Sequence, residues 1–329
     1  MNNNIDEKEA LSHLDQIDRE NQVNSQPGSE QNPGQPPQTS LGKSTIVSDS
    51  GAGESPWKLL NLNLLPSRGM FYHPNVELLI RSASTREIRH WSTMDEHDPI
   101  DIREKINFIL NSCTRFKIKG DPRPFNVNDF LDIDRYHILF RIYEMTFPNQ
   151  ENKLFANVKC RNSKCGHTNR IQVTSQNLLG FSIPQDLSRW YSERERCFVI
   201  PSEKLGETLR VYLPNIGISN AFRQNRAQDE RRGISIDKSF YDNCPYLMFD
   251  WRNASPEVLN SVRNDMNNWS TEKFTAIFKI TELLKKASTN RVIGSCEKCK
   301  SKIESHIFLG GSFTVKDIFI VSARLDEII

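Results

Sequence analysis

Two cysteine pairs, about 130 residues apart, constrain this chain more than any other feature. The first lies in Val158-Lys159-Cys160-Arg161-Asn162-Ser163-Lys164-Cys165-Gly166-His167, a C-x4-C spacing. The second lies in Gly294-Ser295-Cys296-Glu297-Lys298-Cys299-Lys300-Ser301-Lys302, a C-x2-C spacing. Strand-like runs flank both: Leu154 to Val158 and Thr168 to Val173, then Arg291 to Ile293 and Lys302 to Leu309. Two such hairpins can meet and offer four thiolates as a tetrahedron, the closed geometry of structural zinc. Cys160, Cys165, Cys296 and Cys299 are therefore the expected metal ligands, and structural Zn2+ the expected cofactor. The C-x4-C spacing and the long gap depart from a compact four-cysteine module. Free thiols on two exposed hairpins, or disulfides, are the alternative. His167 and His306 adjoin the clusters and could each replace a cysteine.

The protein has 329 residues, 37% of them hydrophobic, enough for one large domain or two modest ones. No apolar run approaches the ~20 residues of a membrane span. The opening Met1-Asn2-Asn3-Asn4-Ile5-Asp6-Glu7 reads as neither a secretory signal nor a transit peptide. A reducing cytoplasm is the expected folding compartment, and there paired cysteines favour metal over disulfide. Cys113, Cys197 and Cys244 each stand alone among apolar residues and read as small core residues. Net charge is +2, unevenly spread: residues 1–55 hold nine acids and three bases, leaving 40 bases and 32 acids beyond. That excess is too small to argue by itself for a nucleic-acid partner.

Residues 1–55 are rich in Asn, Gln, Ser, Pro and Gly and are expected to be a disordered tail. Ala10, Leu11, Leu14 and Ile17 share a helical face there, so a short docking helix is the alternative. Residues 56–150 are expected to form a mostly helical domain. It opens on an ordered loop around Pro66-Ser67-Arg68-Gly69, whose aromatics Phe71 and Tyr72 plug a core, followed by a strand over Val76 to Arg81. Ser84 with Glu87 fits a capping box opening a helix with Ile88 and Trp91 inward. Asp98-Pro99 opens a second, with Ile102, Ile106, Ile109, Leu110 and Cys113 on one face. Val127 to Phe147 reads as further helix, with Phe130, Ile133, Tyr136, Phe140 and Tyr143 at helical spacing.

Residues 151–173 and 291–311 make the zinc-knuckle β element. Between them, 174–290 are an insertion. It begins with a hairpin, Cys197 to Ile200 and Thr208 to Leu213, and is mostly helical from Ser219 to about Lys286. Its last helix starts at a Ser270 or Thr271 cap and carries Phe274, Ile277, Phe278 and Leu284 near one face. A metal would close this long loop, making metal affinity folding free energy. Residues 312–329 are expected to end as a helix striped by Ile318, Val321, Leu325 and Ile328. The fold class is thus α+β: a helical N-terminal half, a knuckle element built from two distant cysteine pairs, and a helical insertion.

Catalytic signals are missing. The chain has no Walker loop, G-x-G-x-x-G, G-x-S-x-G or H-E-x-x-H. Asp132 and Asp134 could pair as carboxylates, though a helix start explains them equally well. His90 and His97 read as solvated surface. Arg223, Arg226, Arg231 and Arg232 form a basic run, interrupted by Asp229 and Glu230 and poor in stacking aromatics. A zinc-containing nucleic-acid-binding regulator, and a hydrolase with an unrecognised site, are the rival readings.

The loop Leu65-Pro66-Ser67-Arg68-Gly69-Met70-Phe71-Tyr72 resembles the Leu-Pro-Ser-Lys/Arg-Gly-x-x-Tyr entry of baseplate hub and hub-assembly proteins from T-even-like contractile phage tails. The sequel is similar too: a strand, Ser84-Thr85-Arg86-Glu87 and a helix, then Leu131-Asp132-Ile133-Asp134-Arg135-Tyr136-His137-Ile138-Leu139-Phe140, then a cysteine knuckle. The similarity covers residues 57–180 and continues more weakly through Leu213-Pro214-Asn215 to the second knuckle. The long polar N-terminal tail is not part of the pattern. The resemblance implies a non-enzymatic structural or assembly role in the baseplate hub. Its partners would be other hub and tail proteins, with no small-molecule substrate and nucleic acid disfavoured. The place of action would be the virion tail baseplate or the host cytoplasm during assembly.

Overall fold

The computed structural model describes residues 56–148, 154–306 and 314–319. The expected N-terminal tail with its Ala10–Ile17 face, the expected strand beyond His306 and the stripe beyond Phe319 lie outside these residues. The described chain is mixed α+β, with eight α-helices and small antiparallel sheets. None of its helices is long and apolar enough to cross a membrane.

The N-terminal half carries a three-stranded sheet as well as helices. Strands β1 (Lys58–Leu59), β2 (Val76–Ile80) and β3 (Thr114–Ile118) pair antiparallel in that order. Two helices fill the β2–β3 connection: α1 (Thr85–Ser92), opened by the Ser84–Glu87 capping box, and α2 (Pro99–Cys113), capped by Asp98. Ile106, Ile109, Leu110 and Cys113 form the buried stripe of α2, with Ile102 half-buried at its start.

The expected continuous helix over Val127–Phe147 is broken. Single turns at Val127–Asp129 and Asp132–Asp134 precede α3 (Arg135–Thr146). The break has a physical cause. Phe130 and Leu131 run extended, Ile216 N donates to Phe130 O at 2.8 Å, and Asp132 N donates to Pro214 O at 3.0 Å. Backbone committed to a neighbouring segment is unavailable to a helix.

The hairpin β4 (Phe155–Lys159)–β5 (Thr168–Gln172) stands as its own two-stranded sheet. Next, β6 (Leu178–Phe181) joins β10 (Ser288–Ser295) and β11 (Lys302–His306) in a second three-stranded sheet. Between β6 and β10 come the turn α4 (Gln185–Ser188) and the sheet β7 (Tyr191–Ser192), β8 (Cys197–Ser202), β9 (Glu207–Val211). Four helices complete the excursion: α5 (Ile216–Arg231), α6 (Lys238–Asn243), α7 (Pro256–Asn267) and α8 (Thr271–Ala287). The excursion has a small core of its own, in which Phe222, Phe240, Tyr241 and Leu259 are buried together. The buried stripe of α8 is Ile277, Ile280, Thr281 and Leu284. Phe278 is 42% exposed, so the expected apolar face is rotated. The loop that a metal was expected to close is also closed by the sheet, through Leu178↔Val292 and Phe181↔Ser288.

The loop after β1 is the keystone of this body. Leu65, Ser67, Phe71 and Tyr72 are buried, and Phe71 packs edge-on against Phe181 and Tyr191. Ser67 donates twice to Asp134, from N at 2.9 Å and from Oγ at 2.7 Å. Leu131 N donates to the Tyr72 hydroxyl at 3.0 Å. Pro66 lies directly on β6: a Cβ at Gly180 would fall 2.2 Å from Pro66 Cγ. From the other side α3 braces the same region. His137 Nε2 contacts Leu178 O at 3.0 Å, and Glu144 accepts from Ser175 N and Oγ at 2.7 and 2.6 Å. Distally, Trp91 Nε1 donates to Lys316 O at 2.7 Å, and Phe319 packs edge-on against the same indole.

Burial pushes the Asp134 carboxyl up to about 6, against the pull of the Ser67 and Tyr72 hydrogen bonds. The native state therefore holds this proton more tightly than the unfolded chain does. The contribution is full below about pH 4 and is lost as pH rises through about 6. Asp134→Asn should flatten the stability slope across that window, as denaturant melts from pH 4 to 7 would read; an unchanged slope would exclude Asp134 as its source. Gly180→Ala should cost about 1–3 kcal/mol through overpacking on Pro66, measured as a lower denaturation midpoint.

Candidate metal centre

Each cysteine pair sits on the turn of its own hairpin. Beyond the last β4–β5 pair, Lys159↔Thr168, Cys160 N donates to His167 O at 2.8 Å. Asn162 O accepts from both Cys165 N and Gly166 N, at 2.9 and 3.1 Å. The second turn follows the same plan. Beyond Ser295↔Lys302, Cys296 N donates to Ser301 O and Lys300 N donates to Cys296 O, both at 2.8 Å. In each turn the residue after the second cysteine is left-handed, Gly166 at φ +57° and Lys300 at φ +60°.

The structure brings all four expected ligands together. Cys160 Sγ lies 3.6 Å from Cys299 Sγ, and Cys165 Sγ lies 3.7 Å from Cys296 Sγ. The four sulfurs lie within 4.8 Å of one another and could hold a metal ion. A tetrahedron with Zn–S near 2.3 Å has edges of roughly 3.8 Å, so the donor set fits that geometry. It does not fit disulfides, whose S–S distance is about 2.05 Å, and all seven cysteines are free. Cys160 and Cys296 are buried, whereas Cys165 and Cys299 are half-exposed.

The surroundings prepare some sulfurs for ionisation and resist it at others. Hydrogen bonds from the Ser301 side chain and backbone pull the Cys299 thiol down to about 6. Backbone amides, led by that of Cys299, lower Cys296 as well. Cys160 is held down by the Asn162 amide but is pushed up to about 12 by desolvation and by its sulfur neighbours. Four adjacent sulfurs cannot all become thiolates without a compensating cation.

Two features lock the hairpins against each other. Asn169, buried on β5, donates to Val158 O and His167 O at 3.3 and 3.2 Å, and its Oδ1 accepts from Glu297 N at 2.8 Å. One side chain thus ties the first turn to the second. Gly294 lies so close to β5 that a Cβ there would fall 2.8 Å from Ile171 Cδ1. Sequence reasoning missed Asn169. Its signal was an amide side chain at the first inward position of a strand leaving a knuckle.

The other candidates disperse. His167 Nε2 lies 3.9 Å from Glu297 Oε2, outside the sulfur cluster. His306 pairs with Arg291, four residue pairs from the knuckle, roughly 13 Å along the strand. Asp132 and Asp134 do not act as a pair: Asp134 holds Ser67, and Asp132 Oδ2 accepts from Ser219 Oγ at 2.9 Å. His90 and His97 are exposed, and His90 rests against the Phe108 ring. The arginine run forms no single face. Arg223 lies 3.5 Å from Asp132, Arg226 pairs with Glu230 at 3.0 Å, and Arg231 and Arg232 are exposed. Cys113, Cys197 and Cys244 are fully buried, each away from the cluster.

No family model, no curated protein and no solved structure matches this chain. Asn169→Ala should leave four titratable thiols at the centre while weakening affinity for added Zn2+ by about tenfold. Competition with a chromophoric chelator measures this, and an unchanged affinity would remove Asn169 from the site.

Proposed function

We propose that the four cysteines hold a structural Zn2+ and that the chain is a non-enzymatic structural or assembly component of a contractile-phage baseplate hub. The observation that carries the metal reading is the approach of four sulfurs, from segments 131 positions apart, at tetrahedral spacing. Four thiolates complete the coordination of Zn2+ and leave no position for water or substrate. Such an ion staples the fold. The hub reading rests on the resemblance of the loop Leu65–Tyr72 and its sequel. The loop's buried residues serve the framework, which suits an architectural role. Its partners would be hub and tail proteins of the same phage, met in the baseplate or during its assembly in the host cytoplasm.

Cys296→Ser should abolish stoichiometric zinc, measured by atomic emission, and lower the melting temperature by roughly 10 °C or more with loss of a sharp transition. Excess chelator should do the same to the native chain. A metal-free protein with the same melting curve would defeat the staple. The hub reading is checked by co-expression with contractile-phage tail and baseplate proteins from the genome that encodes this chain. A defined complex with at least one of them is expected, and its absence with every one would end that reading.

A further inference from the structure

A second site lies away from the sulfurs. A cleft of about 710 Å³ is lined by residues of α2, α3, α5 and α6, with Lys285 of α8. That volume falls among small-ligand pockets, roughly 300–1,000 Å³. Five of its lining side chains are Arg or Lys and two are Asp. The excess is not spread along the surface. Arg103 comes from α2, Arg135 from α3 and Arg223 from α5, three elements separated in sequence that all line this cleft.

Two of these arginines, Arg135 and Arg223, share one close carboxylate. Asp132 Oδ1 lies 3.1 Å from Arg135 Nη2, and its Oδ2 lies 3.5 Å from Arg223 Nη2 while accepting from Ser219. Arg135 is only 5% exposed. Its Nε meets no acceptor, and its Nη2 approaches Asp132 off the line of a hydrogen bond. Burial pushes the Arg223 guanidinium below its ordinary range. Asp132 opposes that shift, and the charges of Arg103 and Arg135 add to it. With five Arg or Lys against two Asp in its lining, the cleft keeps an excess of positive charge that an anion would offset. Guanidinium forks match phosphate and carboxylate oxygens two at a time.

The rest of the lining indicates what carries that anion. Ile102, Ile106, Phe181 and Phe222 give the cleft an apolar wall. We propose that the cleft binds a small phosphate-bearing molecule of nucleotide size, its phosphate on Arg103, Arg135 and Arg223 and its body on the apolar wall. A discrete ligand is favoured over a polynucleotide because the remaining arginines of the run do not extend the site. Arg226 is engaged by Glu230, and Arg231 and Arg232 are not among the residues lining the cleft.

The test is calorimetric titration of the full, metal-loaded chain with AMP, adenosine and inorganic phosphate. Saturable 1:1 binding of AMP is expected, competed by phosphate and at least about tenfold tighter than that of adenosine. Arg223→Gln and Arg103→Gln should each weaken it about tenfold, with zinc content and melting temperature kept. Arg103 is half-buried in the second turn of α2, so its variant carries the test if Arg223→Gln misfolds. The proposal is overturned if neither AMP nor phosphate saturates by millimolar concentrations, or if both variants bind like the native chain. It is also overturned if only an oligonucleotide binds, with a steep salt slope.

Discussion

Four sulfurs held within 4.8 Å of one another set the terms for the rest of this molecule. As thiols they would be weak hydrogen-bonding partners; as thiolates they would repel strongly in the absence of a cation. The hairpins supply the turn geometry and the amides, but a hairpin alone is a marginal structure. What makes the two turns one object is the contact between them, through sulfur, through Asn169 and through the close approach of Gly294 to Ile171. The ordering cost of closing a loop of this length is about 4 kcal/mol in chain entropy beyond a constant. Here it is shared among several contacts, because β6 already pairs with β10 where the excursion leaves and returns.

The loop Leu65–Tyr72 does for the body what the sulfurs do for the knuckles. It joins β6, α3 and the segment before α3 by burying a leucine, a serine and two aromatics and by laying the half-buried Pro66 on β6. Asp134 gives the loop its direction. A carboxylate in that position accepts from both the backbone and the hydroxyl of Ser67, and its burial makes the fit depend on protonation. Both junctions use a buried polar side chain, Asn169 in one and Asp134 in the other, to fix how apolar surfaces meet. This is the situation in which satisfied buried polar groups specify a single arrangement.

What the sequence showed was mainly local chemistry. Cysteines on polar turns between strand-like runs indicated both hairpins. Ser84 with Glu87, Asp98 before Pro99, and Ser270 marked helix starts, because caps act within one turn. What stayed hidden was set by distant partners. Thr114–Ile118 alternates buried and exposed for five residues, too short a run to stand out beside the helix it follows. Val127–Phe147 has helical spacing throughout, yet Phe130 and Leu131 are drawn straight by Pro214 and Ile216. Strand β6 was read as part of the insertion because its partner lies more than a hundred residues downstream. The four clustered cysteines were legible because thiols have few roles on polar turns. Asn169, Arg103 and Arg135 were not, because polar residues have many.

The contact between Trp91 and the turn at Lys316–Phe319 bears on how the protein is made. The indole is fully buried, yet the carbonyl it bonds and the ring that covers it are supplied 225 or more positions later. At ordinary translation rates of about 5–20 residues per second, that is roughly 10–45 s of synthesis. Throughout that interval the indole of Trp91 lacks both its acceptor, Lys316 O, and the Phe319 ring. The nascent chain cannot complete this contact until the Lys316–Phe319 turn has left the ribosome.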